Sequence, residues 1–156
     1  MILDSQLVLS WRQAVTASAA SVADATVQPN SQGIIDLTKA RNIGVGTDKL
    51  YLVVDCVTAM AAALAATVTP TLRTSATQVA SALTGTINTL VTLNTFAAAS
   101  PAGTRIITVL PPAAYLQYLD VYYTVVNGPL TAGAFSAYVV TDIALQTYYA
   151  EGFNPN

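Results

Sequence analysis

Short runs of Val, Ile, Leu, Thr and Tyr, each cut off by a cluster of turn formers, set the pattern of this chain. The breaks fall at Pro29-Asn30-Ser31-Gln32-Gly33, Gly44-Val45-Gly46-Thr47-Asp48, Thr84-Gly85, Pro101-Ala102-Gly103, Pro111-Pro112 and Asn127-Gly128-Pro129. Such residues punctuate chains because they supply positive or fixed φ angles. The runs between them predict strands at 14–17, 22–27, 34–37, 50–57, 65–73, 79–83, 87–93, 105–110, 115–126 and 134–141. Many short strands with little helical periodicity predict an all-β fold, an antiparallel β-sandwich or jelly roll. Two runs alternate clearly enough to assign faces. Leu50, Leu52, Val54 and Cys56 share an apolar side, opposite Tyr51 and Asp55. Leu119, Val121, Tyr123 and Val125 do the same, opposite Tyr118, Asp120, Tyr122 and Thr124. Asp55 and Asp120 are therefore expected to point outward in mid-strand, where charge discourages stray sheet pairing. The Ala-rich stretch 59–66 has helical propensity but is short and runs into Thr67-Val68-Thr69-Pro70, so it reads as strand or loop. Pro70 is expected at an edge or a bulge.

Composition sharpens the picture. Charged residues make up 9% of the 156, six Lys or Arg against eight Asp or Glu, and apolar residues reach 53%. A soluble domain usually carries about 25% charged residues. Ala (27) and Thr (21) fill the gap. Thr favours strands and keeps a sheet face neutral yet wettable. Such a surface hints at assembly with other subunits; an Ala- and Thr-rich coding bias is the plain alternative. One domain of ordinary size fits this length: an N-terminal arm over 1–12, a sandwich core over 13–142 and a C-terminal arm over 143–156. No apolar run approaches the ~20 residues of a membrane span. The start of the chain has neither a basic region nor a long apolar one, so no signal peptide is expected and synthesis is placed in the cytoplasm.

The chemistry on offer is thin. The chain has no His, so imidazole catalysis and His-ligated zinc drop out. Its lone Cys cannot form a disulfide within the chain. The eight acids are scattered, with no two within five positions, so no local metal loop forms. Net charge is −2, which disfavours electrostatic binding of nucleic acid. Gly44-Val45-Gly46-Thr47-Asp48-Lys49 lacks the Gly-Lys-Ser/Thr ending of a phosphate loop and reads as a hairpin loop. Cys56 lies on an apolar strand face without a base nearby and reads as a buried inert thiol. No enzyme activity, metal or cofactor is expected.

The tyrosines stand out, since seven of eight follow position 114. Tyr118 and Tyr122 fall on the outward side of their strand, and Tyr is favoured at protein interfaces. A packed aromatic cluster beneath a loop is the competing reading. Tyr148, Tyr149 and Phe153 on the C-terminal arm read as anchors for a neighbouring subunit, because an exposed aromatic tail is otherwise a liability.

Several blocks carry a resemblance. They are the opening Met1–Ser10 with Gln13–Ser21, then Ile35-Asp36-Leu37 through Ala40–Gly46 ahead of Leu50–Val54. Later come Tyr115–Leu119, Tyr123-Thr124-Val125 and Thr131–Phe135. In this order they resemble capsid cement (decoration) proteins of tailed double-stranded DNA phages, of the jelly-roll type found in short-tailed podophages. The stretch 59–104 is less similar, and the tail after Asp142 is longer than the family core. The resemblance implies a jelly roll seated on the outer surface of the virion. Its partners would be the major capsid protein and further copies of itself, with a homodimer preferred over a homotrimer. It supplies no catalytic residues. Two rivals stand beside it: another structural phage part (head–tail connector, tail or receptor-binding module), and a sugar-binding sandwich using exposed Tyr.

Overall fold

The computed structural model describes residues 7–20, 33–43, 49–80 and 82–141. Thirteen strands run through them. β1 (Val8–Ala14), β2 (Ala19–Ala20), β3 (Ile35–Asp36) and β4 (Arg41–Ile43) come first. Next are β5 (Tyr51–Ala62), β6 (Thr67–Ser75), β7 (Thr77–Val79), β8 (Ala82–Thr84) and β9 (Asn88–Thr92). Last among the described residues come β10 (Arg105–Val109), β11 (Ala113–Tyr115), β12 (Tyr118–Val126) and β13 (Leu130–Val140). One sheet has the order β1-β13-β5-β10; the other has β2-β12-β6-β9, with β3 also pairing β12. All pairings are antiparallel. If β2 and β3 count as one interrupted strand, the sheets read first-eighth-third-sixth and second-seventh-fourth-fifth. That is the wrapping order of an eight-stranded jelly roll. The small β4–β11 pair closes one end, and the β7–β8 hairpin extends from β6.

Alternation explains why these runs became strands. In β6, Val68, Pro70, Leu72 and Thr74 are buried while Thr67, Thr69, Thr71 and Arg73 are not. The inward residues of both sheets form one core, centred on Phe96, Phe135 and Tyr123, whose rings lie 5.1 and 5.5 Å apart in sequence along the trio. Leu52, Val54 and Cys56 from β5 and Leu119, Val121 and Tyr123 from β12 all face it, as their alternation predicts. The Cys56 thiol is buried, and burial raises its pKa, so it stays protonated. The turn at Pro101–Thr104 closes with Thr104 N–H on Pro101 C=O (3.2 Å), with Gly103 at φ +87°. A type II turn asks that conformation of its third residue, and glycine gives it without strain.

A buried hydrogen bond ties the sheets together inside the core. Ser10 Oγ of β1 and the Tyr123 hydroxyl of β12 are hydrogen-bonded at 2.6 Å, both fully buried. Burial drives the Tyr123 phenol far above its ordinary pKa, so it remains neutral. Ser10→Ala strands that hydroxyl and should cost about 1–3 kcal/mol. The pair Ser10→Ala with Tyr123→Phe should return most of the loss. Urea melts of the three variants measure both steps; a Ser10→Ala melt equal to wild type would mean the hydroxyl finds water.

Three expectations change. The sequence predicts an N-terminal arm over 1–12 and a strand at 14–17, yet β1 starts at Val8 and ends at Ala14. Two register shifts against β13, and Arg12 at φ +49°, break its alternation, which hid the strand. Of the two settings expected for Pro70, an edge or a bulge, the edge drops out, since Pro70 lies in the interior strand β6, and the irregular pairing agrees with the bulge. Its missing N–H falls where the facing chain is irregular, between the Thr71–Thr92 pair and the isolated Val68–Phe96 bridge. Asp55 and Asp120 point outward but are not free surface charges, as described next. The strand expected at 22–27, most of the Gly44–Lys49 loop and the C-terminal arm lie outside the described residues.

Candidate functional site

The two outer faces of the sandwich differ in character. On the β2-β12-β6-β9 sheet, Thr67, Thr69 and Thr71 of β6 share the outer face with Thr124 of β12 and Thr92 of β9. Thr69 and Thr95 hydroxyls bond each other at 2.8 Å. The charge here is internally matched. Arg73 Nε donates to Asp120 Oδ1 at 2.9 Å and Nη2 donates to Oδ2, across a directly opposed β6–β12 pair. Asp120 is only 1% exposed, because the guanidinium stands over it. Burial raises its carboxyl pKa, and Arg73 offsets part of the rise. Tyr122, a sequence-predicted interface residue, has Arg73 4.2 Å above its ring centre. Tyr118 is half-buried and accepts a hydrogen bond from Gln117 (2.9 Å). So Tyr118 and Tyr122 share one face, but one ring side of Tyr122 is already taken. Tyr148, Tyr149 and Phe153 lie outside the described residues.

The β1-β13-β5-β10 sheet is apolar on its outer side as well. Val8, Val53, Tyr138 and Val140 form a second buried cluster there, flanked by Trp11 and Tyr51. Next to it, Ile107 is directly opposite Val53 and Val109 opposite Tyr51, with 40% and 44% of their surfaces exposed. Polar groups interrupt the face: Arg105 donates to both Asp55 oxygens, the Tyr138 hydroxyl donates to Asp55 Oδ2 at 2.7 Å, and Ser136 Oγ, opposite Asp55, accepts Arg12 N–H at 2.9 Å. The Asp55 charge expected to repel neighbouring edges is thus neutralised in place. The sequence reading missed this surface. The available signal was that Val53, Ile107, Val109 and Val140 extend the alternation on the side opposite the core.

β10 is also an open edge. Leu110 N–H bonds Leu50 C=O and Cys56 N–H bonds Thr104 C=O, both at 2.8 Å. By the antiparallel ladder, Ile106 and Thr108 turn their backbone groups to β5 and Ile107 and Val109 turn theirs away. Among the described residues, nothing pairs with that side of Ile107 and Val109. The other edges are broken: β1 is bulged, β9 slips in register, and β2 and β3 have two residues each. Bulges and shortness are ordinary protections for an edge, and β10 has neither.

Among the described residues no group of three or more His, Cys, Asp or Glu gathers to hold a metal ion. No helix among them is long and apolar enough to cross a membrane. The architecture and its surfaces define a jelly-roll domain with one hydroxyl-coated face and one apolar face bordered by an open edge. The Bbp16 family model matches residues 9–139, and the chain belongs to the Bbp16 family. No curated protein matches it.

Proposed function

We propose that this protein is a structural component of a phage virion, a cement protein that binds the outer capsid surface and staples adjacent major capsid protein subunits. It is not an enzyme in this reading, and it needs no cofactor, nucleic acid or membrane. The observation that carries the reading is the exposed pair Ile107 and Val109 on the outer face of the β1-β13-β5-β10 sheet, on an edge that is unpaired among the described residues. The cluster of Val8, Val53, Tyr138 and Val140 is already covered, but Ile107 and Val109 beside it stay exposed, and an exposed aliphatic pair on an unpaired edge suits an interface. The sequence blocks that resemble cement proteins support the same conclusion, and fall largely within the matched span. Binding the assembled shell and not its free subunits stabilises the shell by mass action, summed over many copies. The half-covered Tyr122 ring favours this reading over sugar stacking.

Imaging purified virions tests it: density for the protein should cover the head in many copies. Absence from the head, or six or twelve copies at the tail vertex, overturns it in favour of a connector. The C-terminal arm belongs to the same proposal, with Tyr148, Tyr149 and Phe153 as anchors. Deleting residues 146–156 should leave circular dichroism and melting unchanged and weaken co-sedimentation with undecorated heads by about tenfold or more, the loss of one buried aromatic anchor. Normal decoration by the truncated chain would remove the arm from the interface. Self-association as a homodimer, the commonest closed symmetry, is part of the reading and is checked by sedimentation equilibrium.

A further inference from the structure

At the end of the sandwich closed by β4 and β11, the core is not filled. A cavity of about 90 Å³ lies there, and every surface lining it is apolar. Its inner wall is built from buried Leu9, Leu72 and Leu119; Leu37, Ile43 and Leu50 border it and are only half-buried. Tyr115 contributes its ring, but its hydroxyl is spent on Pro111 C=O at 2.8 Å. The phenol is buried, with its pKa pushed up to about 12, and stays neutral.

Interiors are close-packed, and voids larger than a water molecule are few. This one exceeds the roughly 10–15 Å³ that one water needs. Water is nonetheless a poor occupant, since it requires two to four polar partners and the wall offers none among the described residues. Side chains around an empty void lose dispersion contacts on that side. A molecule that restores them without bringing polar groups is favoured; one that brings a charge leaves it unpaired.

We propose that this cavity is a binding site for a small, uncharged, apolar molecule, a single aromatic ring or a short branched alkyl group. Binding braces the β4–β11 end, because the ligand fits the folded chain alone. The site lies on the core side of the β5–β10 pair, opposite the outer side that carries Ile107 and Val109, and stands whether or not the protein coats a capsid. The selectivity follows from the wall. Toluene, slightly larger than the space, is admitted as the half-buried Leu37, Ile43 and Leu50 at its border give way; phenol binds about ten- to a hundredfold more weakly, for its hydroxyl has no partner; benzoate does not enter.

Methyl NMR titration of the full chain tests this, with toluene, phenol and benzoate as probes. Saturable toluene shifts confined to methyls of Leu9, Leu72, Leu119 and their neighbours, in that order of probes, are expected. Leu119→Phe combined with Val139→Ile takes up much of the space and should abolish them. Should that variant unfold, Val139→Ile alone, which extends one wall residue by one methylene, should weaken toluene binding severalfold. No saturable shift with wild type, equal response to benzoate, or shifts that survive filling overturn the proposal.

Discussion

Arg73→Met should lower unfolding free energy by about 3 kcal/mol at pH 7, because it leaves a carboxylate in a site with almost no water. Asp120 is 1% exposed, and Arg73 supplies both hydrogen bonds that hold it and the cation that offsets its burial. The guanidinium also covers the Tyr122 ring, so that contact goes too. For a domain of this size the loss corresponds to a melting point about 6–12 °C lower. The deficit depends on pH, with a definite sign. Burial already holds the Asp120 carboxyl above its ordinary value, and Arg73 works against that shift. Without Arg73 the folded-state pKa rises further above the unfolded value, about 3.9. Between those two values the folded variant holds more protons than the unfolded chain, so its stability falls as pH rises. The deficit should be smallest near pH 4 and reach its full size once pH passes the folded-state titration. Urea melts at pH 4, 5.5 and 7 measure it. Arg73→Met with Asp120→Leu should recover most of the stability, since the charge is then gone. A deficit under 1 kcal/mol that ignores pH would mean water reaches the carboxylate.

The same residue shows how far alternation carries a reader. Period two placed Asp120 opposite Leu119 and Val121, and that side is right. Alternation says which way a side chain leaves the strand, not what stands above it there. Arg73, 47 residues away, is brought over Asp120 by the register of β6 on β12. The match of Arg105 to Asp55 is equally non-local, at a separation of 50. Where both sides of a strand are apolar, the pattern loses contrast. Tyr51 and Asp55 suggested a polar side for β5, although Val53 between them is fully buried in a second cluster. In β1 the two bulges shift the phase inside seven residues, so no window of constant alternation exists to be read. Turns were legible because their chemistry is local: Gly103 at φ +87° and Asn127 at φ +56° sit where the sequence placed breaks. Strand order was not, since alternation cannot tell which strands pair. The expectation of a jelly roll beyond a generic sandwich came from the resemblance, and the observed sheet orders agree with it.

Ile107→Glu with Val109→Glu should abolish capsid decoration while leaving the fold intact, if the apolar face is the contact proposed above. Each side chain is about two-fifths exposed, so neither holds the core together, and surface changes of this kind usually alter stability by under about 0.5 kcal/mol. Binding is different. Covering two aliphatic side chains contributes about 1.5–3 kcal/mol each at full burial. Half of that, because part of each is already covered, still gives roughly ten- to a hundredfold in affinity. A carboxylate pressed against Val53 and Tyr51 adds desolvation on top. Glutamates on the edge also oppose strand addition, the other contact β10 can offer through the outward backbone of Ile107 and Val109. Loss of at least a hundredfold in co-sedimentation with undecorated heads is therefore expected. Tyr118→Ala on the opposite sheet provides the contrast, since it removes the aromatic side chain that the sequence reading favoured. If Tyr118→Ala stops decoration and the β10 variant binds normally, the contact is the hydroxyl-coated face, and the aromatic reading of β12 replaces the one argued from β10. If both bind normally with unchanged melts, neither sheet face touches the shell.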